Sequence, residues 1–103
     1  MADKPVLGKK YDESKLMWHL LPYDQLTKIV EVLTFGANKY GEDDWKHFVL
    51  KAQNQDRYFS AALRHLAAWK QGHKLDEETK LPHLAHVVCC VLFIMWRDDA
   101  NSI

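Results

Sequence analysis

A chain of 103 residues with 14 basic and 14 acidic side chains carries no formal net charge. That argues against a polybasic membrane-surface protein and against a dedicated binder of nucleic-acid polymers, both of which show a basic excess. Hydrophobic residues make up 48% and aromatic residues 12%, with four Trp, a composition that folds rather than stays disordered. One small domain is expected, and because a domain of this size buries a modest fraction of its surface, a homo-oligomer is expected too.

Residues 1–22 read as an irregular N-terminal segment, and its start, MADKPVLGKK, has no apolar signal core. Residues 23–103 read as the domain. Pro22 suits a helix start. From Tyr23 to Lys39, Leu26, Ile29, Val30, Leu33 and Ala37 follow the i, i+3, i+4, i+7 spacing of one buried stripe. Gly41 can end that helix. A polar loop, Gly41 to Trp45, follows, with a short turn around residues 46–52. The second helix is predicted from Gln55 to Gln71, with Phe59, Leu63 and Leu66 as its apolar stripe and Gly72 as its stop. Lys74 to Lys80 form an acidic connection. The third helix is predicted over residues 82–97, with Pro82 in its first turn. Leu84, Ala85, Val87, Val88, Val91, Leu92, Ile94 and Met95 cover most of its circumference, the pattern of a helix buried all round. No strand alternation, repeat or low-complexity stretch intervenes. The class is all-α, a small helical bundle.

The longest apolar run, Val87 to Trp96, is about half of what a membrane span needs, so a protein of the cytoplasm is expected. The two cysteines, Cys89 and Cys90, point about 100° apart on a helix and do not suit a mutual disulfide. They read as small core residues of a reducing compartment.

The densest chemistry lies in RHLAAWKQGHKLDEETKLPHLAH, residues 64–86. Charged groups so close together are costly unless paired or liganded. His83, His86, Cys90 and Arg97 share one stripe of the third helix, and imidazoles on a buried helix must meet partners. Those partners are either carbonyls and Glu side chains or a functional site. On the second helix, His65 shares a stripe with Tyr58, Ala62 and Trp69. Arg64, flanked by Ala61 and Ala68, either presents its planar fork to phosphate oxygens or pairs with Glu77 or Glu78. Asp76, Glu77 and Glu78 either hold Mg²⁺ or Mn²⁺, which prefer oxygen ligands shared with substrate phosphates, or form the acidic start of a helix. Glu31 sits opposite the apolar stripe of the first helix. Zinc lacks a paired-Cys signature, and no Gly-rich phosphate loop or GxSxG elbow appears.

Taken in order, YDESK, LLP, VLTFGANKYGEDDW, AALRHLAAW and LDEETKLPHLAH resemble a family of phage and bacterial dATP/dGTP diphosphohydrolases. That family belongs to the all-α NTP pyrophosphohydrolase group with the MazG-like fold. The resemblance spans Tyr11 to Trp96. It implies a helical bundle, usually oligomeric, in the cytoplasm (the host's, for a phage-encoded protein). It also implies a Mg²⁺- or Mn²⁺-dependent cleavage of a nucleoside triphosphate to monophosphate and pyrophosphate. The matching positions are Lys15, Glu31, Gly36, Lys39, Tyr40, Trp45, Arg64, His65, Asp76, Glu78, His83 and His86. The implied roles are catalysis for Glu31, His65 and His83, and metal binding for Glu31, Asp76, Glu77 and Glu78. Lys15, Lys39, Tyr40, Trp45, Arg64 and His86 are the implied substrate contacts, with Trp45 stacking on the base. The wider fold carries an E-x-x-E pair on its first helix; here Thr27 and Lys28 stand where an acidic pair would help, and Glu31 remains. Cys90 stands where an amide or carboxylate is expected. Two other readings follow from the same residues: a degenerate HD-type phosphohydrolase using His65, His83, His86 and Asp76 around a transition metal, and a non-enzymatic accessory protein that binds nucleotides or a host protein.

Overall fold

In the computed structural model, residues 15–101 are described; the expectations for residues 1–14 lie outside them. A 3-10 turn at Trp18–Leu20 leads into four helices: α1 (Tyr23–Tyr40), α2 (Asp44–Leu50), α3 (Asn54–Lys70) and α4 (His83–Ala100). Among the described residues there is no β-strand, only an isolated bridge between Leu75 and Pro82. The all-α expectation holds.

Local chemistry accounts for most helix boundaries. Pro22 caps the N-terminus of α1, and Gly41 closes it at φ 112°, donating its N–H to the Ala37 carbonyl. A Cβ is strained at that backbone angle, so glycine is the natural stop. Gly72, at φ 97°, ends α3 in the same way. Pro82 is the N-cap of α4 rather than its first helical residue.

Residues 44–50, predicted as loop and turn, instead form α2. Seven residues do not sustain a helix alone. Tertiary contacts do it here: Val49 is fully buried, and buried Asn54 donates from Nδ2 to the Phe48 carbonyl at 2.6 Å, tying the end of α2 to the start of α3.

All three other helices pack on α4, and α3 packs on it most extensively. The buried apolar residues are Val49, Ala85, Cys89 and Cys90. This corrects two expectations. α4 is not buried all round: Val88, Val91, Leu92 and Met95 are 38–57% exposed. On α3, Phe59, Leu63 and Leu66 face outward at 41–56% exposure, while the half-buried face carries Tyr58, Ala61, Ala62, His65 and Ala68. Small residues on that face let α3 and α4 approach closely, which brings His65 against the first turn of α4. On α1 the predicted stripe is only partly covered, with Val30 half exposed.

Candidate functional site

The connection between α3 and α4 folds back on itself. Asp76 donates its N–H to the Leu81 carbonyl at 2.8 Å, Lys80 donates to the Asp76 carbonyl at 2.9 Å, and His83 donates to the Lys74 carbonyl at 2.8 Å. The Asp76 carboxylate oxygen Oδ2 accepts backbone N–H groups from Glu78 and Thr79, each at 3.0 Å. This is the local side-chain capping that Asp offers a turn. None of Asp76, Glu77 and Glu78 lies in the first turn of α4, which carries no acidic residue, so the helix-start reading of these acids does not apply.

This turn delivers Asp76 to a cluster of imidazoles. His65 Nδ1 lies 2.8 Å from His83 Nδ1 and 4.0 Å from Asp76 Oδ1. The His86 ring stacks on His65 with centroids 4.5 Å apart and planes 10° from parallel. Thr79 links the parts: its hydroxyl lies 2.7 Å from His86 Nε2 and 3.3 Å from Asp76 Oδ2, and accepts the Leu81 N–H at 3.2 Å. His83 and His86 come from one face of α4 at i, i+3 spacing.

Electrostatics keep this cluster lone-pair rich. Burial, reinforced by His86, pushes His65 down from 6.5 to about 4, against the pull of Asp76. Burial likewise lowers His86. Burial of Asp76 works to raise its pKa, but the Thr79 N–H, His86 and the Glu78 N–H outweigh it and hold the carboxyl below its ordinary range. At neutral pH the site therefore contains a carboxylate and at least two uncharged imidazoles. His65 is therefore uncharged at neutral pH and keeps one ring nitrogen free of a proton.

His65, His86, Asp76 and Thr79 form one wall of a cleft of about 890 Å³. The C-terminal half of α1, including Gly36, Lys39 and Tyr40, also lines it, and Arg64 reaches the cleft from α3. Lys39 Nζ donates to Glu78 Oε2 at 2.6 Å, and that hydrogen bond raises the Lys39 pKa. The pairing considered for Arg64 is thereby redirected: Lys39, not Arg64, takes Glu78. The apolar end of the cleft is aromatic. Trp45 stacks on Phe93 at 4.4 Å and meets Trp96 edge-on at 5.3 Å, and Tyr58 packs edge-on against Phe93 at 5.0 Å. One face of Trp45 is thus already engaged by Phe93.

Of the residues singled out from the sequence, Lys39, Tyr40, Trp45, Arg64, His65, Asp76, Glu78 and His86 line the cleft, and His83 joins them through its contact with His65. Lys15, Glu31 and Glu77 are exposed and are not part of its wall. Among the described residues, the acids implied as metal ligands are placed apart: Glu31 and Glu77 lie outside the cleft wall, Glu78 pairs with Lys39, and Asp76 faces the imidazoles. Among the described residues, the group of three metal-competent side chains brought together is His65, Asp76 and His83. Three contributors were not singled out as site residues from the sequence: Thr79, Phe93 and Tyr58, the last noted only as sharing the stripe of His65. Thr79 had a signal, since Asp followed three residues later by Thr can close a side-chain-capped turn; the two aromatics are indistinguishable from core residues until the fold is seen.

Cys89 and Cys90 are free and buried. Burial pushes the Cys89 thiol up to about 12, so it acts as a small apolar residue whose S–H points at the Ile29 carbonyl 3.6 Å away.

Fold and cleft together define an all-α domain with an imidazole–carboxylate cluster beside two cations and an aromatic wall. The family described as dATP/dGTP diphosphohydrolase, N-terminal, matches residues 6–102, and the chain belongs to it. A protein named dATP/dGTP diphosphohydrolase from Salmonella phage PMBT28 is 29% identical over 89 residues, which cover 86% of this chain and 29% of that protein. The chain therefore spans under a third of that relative's length. No solved structure matches the chain. No helix among the described residues is long and apolar enough to cross a membrane.

Proposed function

We propose that the cleft binds a purine deoxynucleoside triphosphate, dATP or dGTP, and hydrolyses it to the monophosphate and pyrophosphate. The observation that carries this reading is the convergence, in one cleft, of Lys39, Arg64, an aromatic end and the histidine–aspartate cluster, in a chain of this family. Arg64 offers two parallel donors to phosphate oxygens. Lys39 can exchange its exposed partner Glu78 for phosphate at little cost, since surface ion pairs are weak. The base lies against the aromatic end, on Tyr40 or Trp45. A water oxygen attacks the α-phosphorus, the bond from that phosphorus to the bridging oxygen breaks, and pyrophosphate leaves. A neutral imidazole of the cluster accepts the water proton. A divalent cation travelling with the triphosphate, Mg²⁺ or Mn²⁺, would neutralise charge on its oxygens. The protein acts as a homo-oligomer in this reading, because α3 and α4 each leave an apolar stripe half exposed.

Incubation with each dNTP and Mg²⁺ or Mn²⁺, followed by product identification, tests it. dATP and dGTP should give monophosphate and pyrophosphate. Arg64→Lys should lower kcat/KM at least about tenfold with thermal stability unchanged, because a charge-assisted bond of roughly 1.5–3 kcal/mol is lost. Diphosphate plus orthophosphate would assign a different phosphohydrolase chemistry, and no turnover of any nucleotide would leave the domain a binding module.

A further inference from the structure

We infer that His65, His83 and Asp76 form a resident site for one first-row transition-metal dication of the Zn²⁺ or Co²⁺ kind, in preference to Mg²⁺. The first argument is the donor set. Imidazole nitrogen suits zinc, cobalt and iron, whereas Mg²⁺ takes oxygen ligands and sheds its waters reluctantly. Two nitrogens and one carboxylate oxygen are a poor Mg²⁺ cage and a good transition-metal one.

Geometry supplies the second argument. The three ligand atoms all lie within 4.8 Å of one another. His65 Nδ1 lies 2.8 Å from His83 Nδ1 and 4.0 Å from Asp76 Oδ1, spacings that a single cation between them can bridge. Nitrogen and oxygen ligands on zinc sit ~2.0–2.2 Å away. Two ring nitrogens this close share either a proton or a cation. A shared proton needs no third donor, yet the Asp76 carboxylate is held 4.0 Å from the same His65 Nδ1.

Support from the surroundings is the third. Asp76 Oδ2 is pinned by the Glu78 and Thr79 N–H groups, leaving Oδ1 as the oxygen nearer His65. His86 stacks flat on His65 and fixes its plane. Such partners orient ligands at metal centres and tune their affinity. The three donors come from α3, from the connection and from α4, so the site exists only once α3 and α4 have packed. Three protein ligands leave at least one coordination position open, and His65 and Asp76 border the cleft. A water or a phosphate oxygen can take that position.

This inference goes beyond the nucleotide reading and does not depend on it, and its test contains no nucleotide. Chelator-treated protein is titrated with Zn²⁺ and, separately, with Mg²⁺ by calorimetry, and its Co²⁺ form is examined by visible absorption. One Zn²⁺ per chain should bind at least about 100-fold more tightly than Mg²⁺. His83→Ala and Asp76→Asn should each weaken Zn²⁺ binding at least about tenfold, and His73→Ala, an exposed imidazole outside the cluster, should not. Circular dichroism establishes that the variants fold. X-ray absorption of the Zn²⁺-loaded wild type gives a readout independent of any variant, with two imidazole ligands expected. Zn²⁺ binding no tighter than Mg²⁺, fewer than two imidazoles around bound zinc, or folded variants that bind as wild type does would each overturn the assignment.

Discussion

Replacing Thr79 by Val keeps the shape of the side chain and removes one hydroxyl. That hydroxyl accepts the Leu81 N–H at 3.2 Å, lies 2.7 Å from His86 Nε2 and 3.3 Å from Asp76 Oδ2. Without it, a backbone donor and an imidazole nitrogen, both part-buried, lose their partners together. An unsatisfied buried polar group costs ~1–3 kcal/mol; partial access to water places the total near the middle, about 2 kcal/mol. For a chain of this length 1 kcal/mol corresponds to ~4–5 °C in Tm, so a fall of about 8–10 °C is expected. Thr79→Ser restores the oxygen and should recover most of that loss. Urea and thermal unfolding of wild type, Thr79→Val and Thr79→Ser decide it. A Thr79→Val protein within 0.5 kcal/mol of wild type, or a Ser variant as unstable as the Val one, would show that Thr79 does not tie the turn to α4.

Two further outcomes follow from the same structure. The folded-state pKa of His65 is lowered from 6.5 to about 4, so between these values the unfolded chain binds a proton that the native state refuses. Stability of the metal-free protein is therefore complete above pH 6.5 and falls as pH drops towards 4. His65 contributes about 3 kcal/mol over the whole range down to pH 4 and about 2 kcal/mol of it by pH 5, at ~1.4 kcal/mol per pKa unit, and His86, also lowered, adds in the same direction. Urea midpoints at pH 7.5 and pH 5 measure this, and a His65→Gln variant that kept the wild-type pH slope would contradict it. Self-association through α3 predicts an oligomer in light scattering at micromolar concentration, and Leu63→Glu, which places a charge in the half-exposed stripe, should shift it to monomer; a wild-type monomer, or an unchanged oligomer in the variant, removes that face from the interface.

Sequence alone determined the helical class, the limits of α1, α3 and α4 to within a few residues, and the composition of the site. Periodicity and chain-breaking residues are local properties: Pro22, Gly41, Gly72 and Pro82 act through their own backbones wherever they stand. The residues flanking the α3–α4 connection were legible for a related reason, since an unusual density of His, Asp and Glu needs partners in any fold. What sequence could not decide is which donor meets which. Glu78 and Asp76 are two residues apart, yet one pairs with Lys39 across the cleft and the other faces the imidazoles. That difference comes from a turn closed by hydrogen bonds to Asp76 and from the packing of α3 on α4. The same packing reversed the apparent polarity of α3, turning its small-residue face inward and leaving Phe59, Leu63 and Leu66 exposed, because close helix approach was favoured over burial of the bulkier stripe. Helix α2 existed for tertiary reasons as well: seven residues held by the burial of Val49 and by Asn54 at its end. Amphipathic patterns report how much apolar surface a helix carries; only the assembled neighbours fix which of it is covered within one chain.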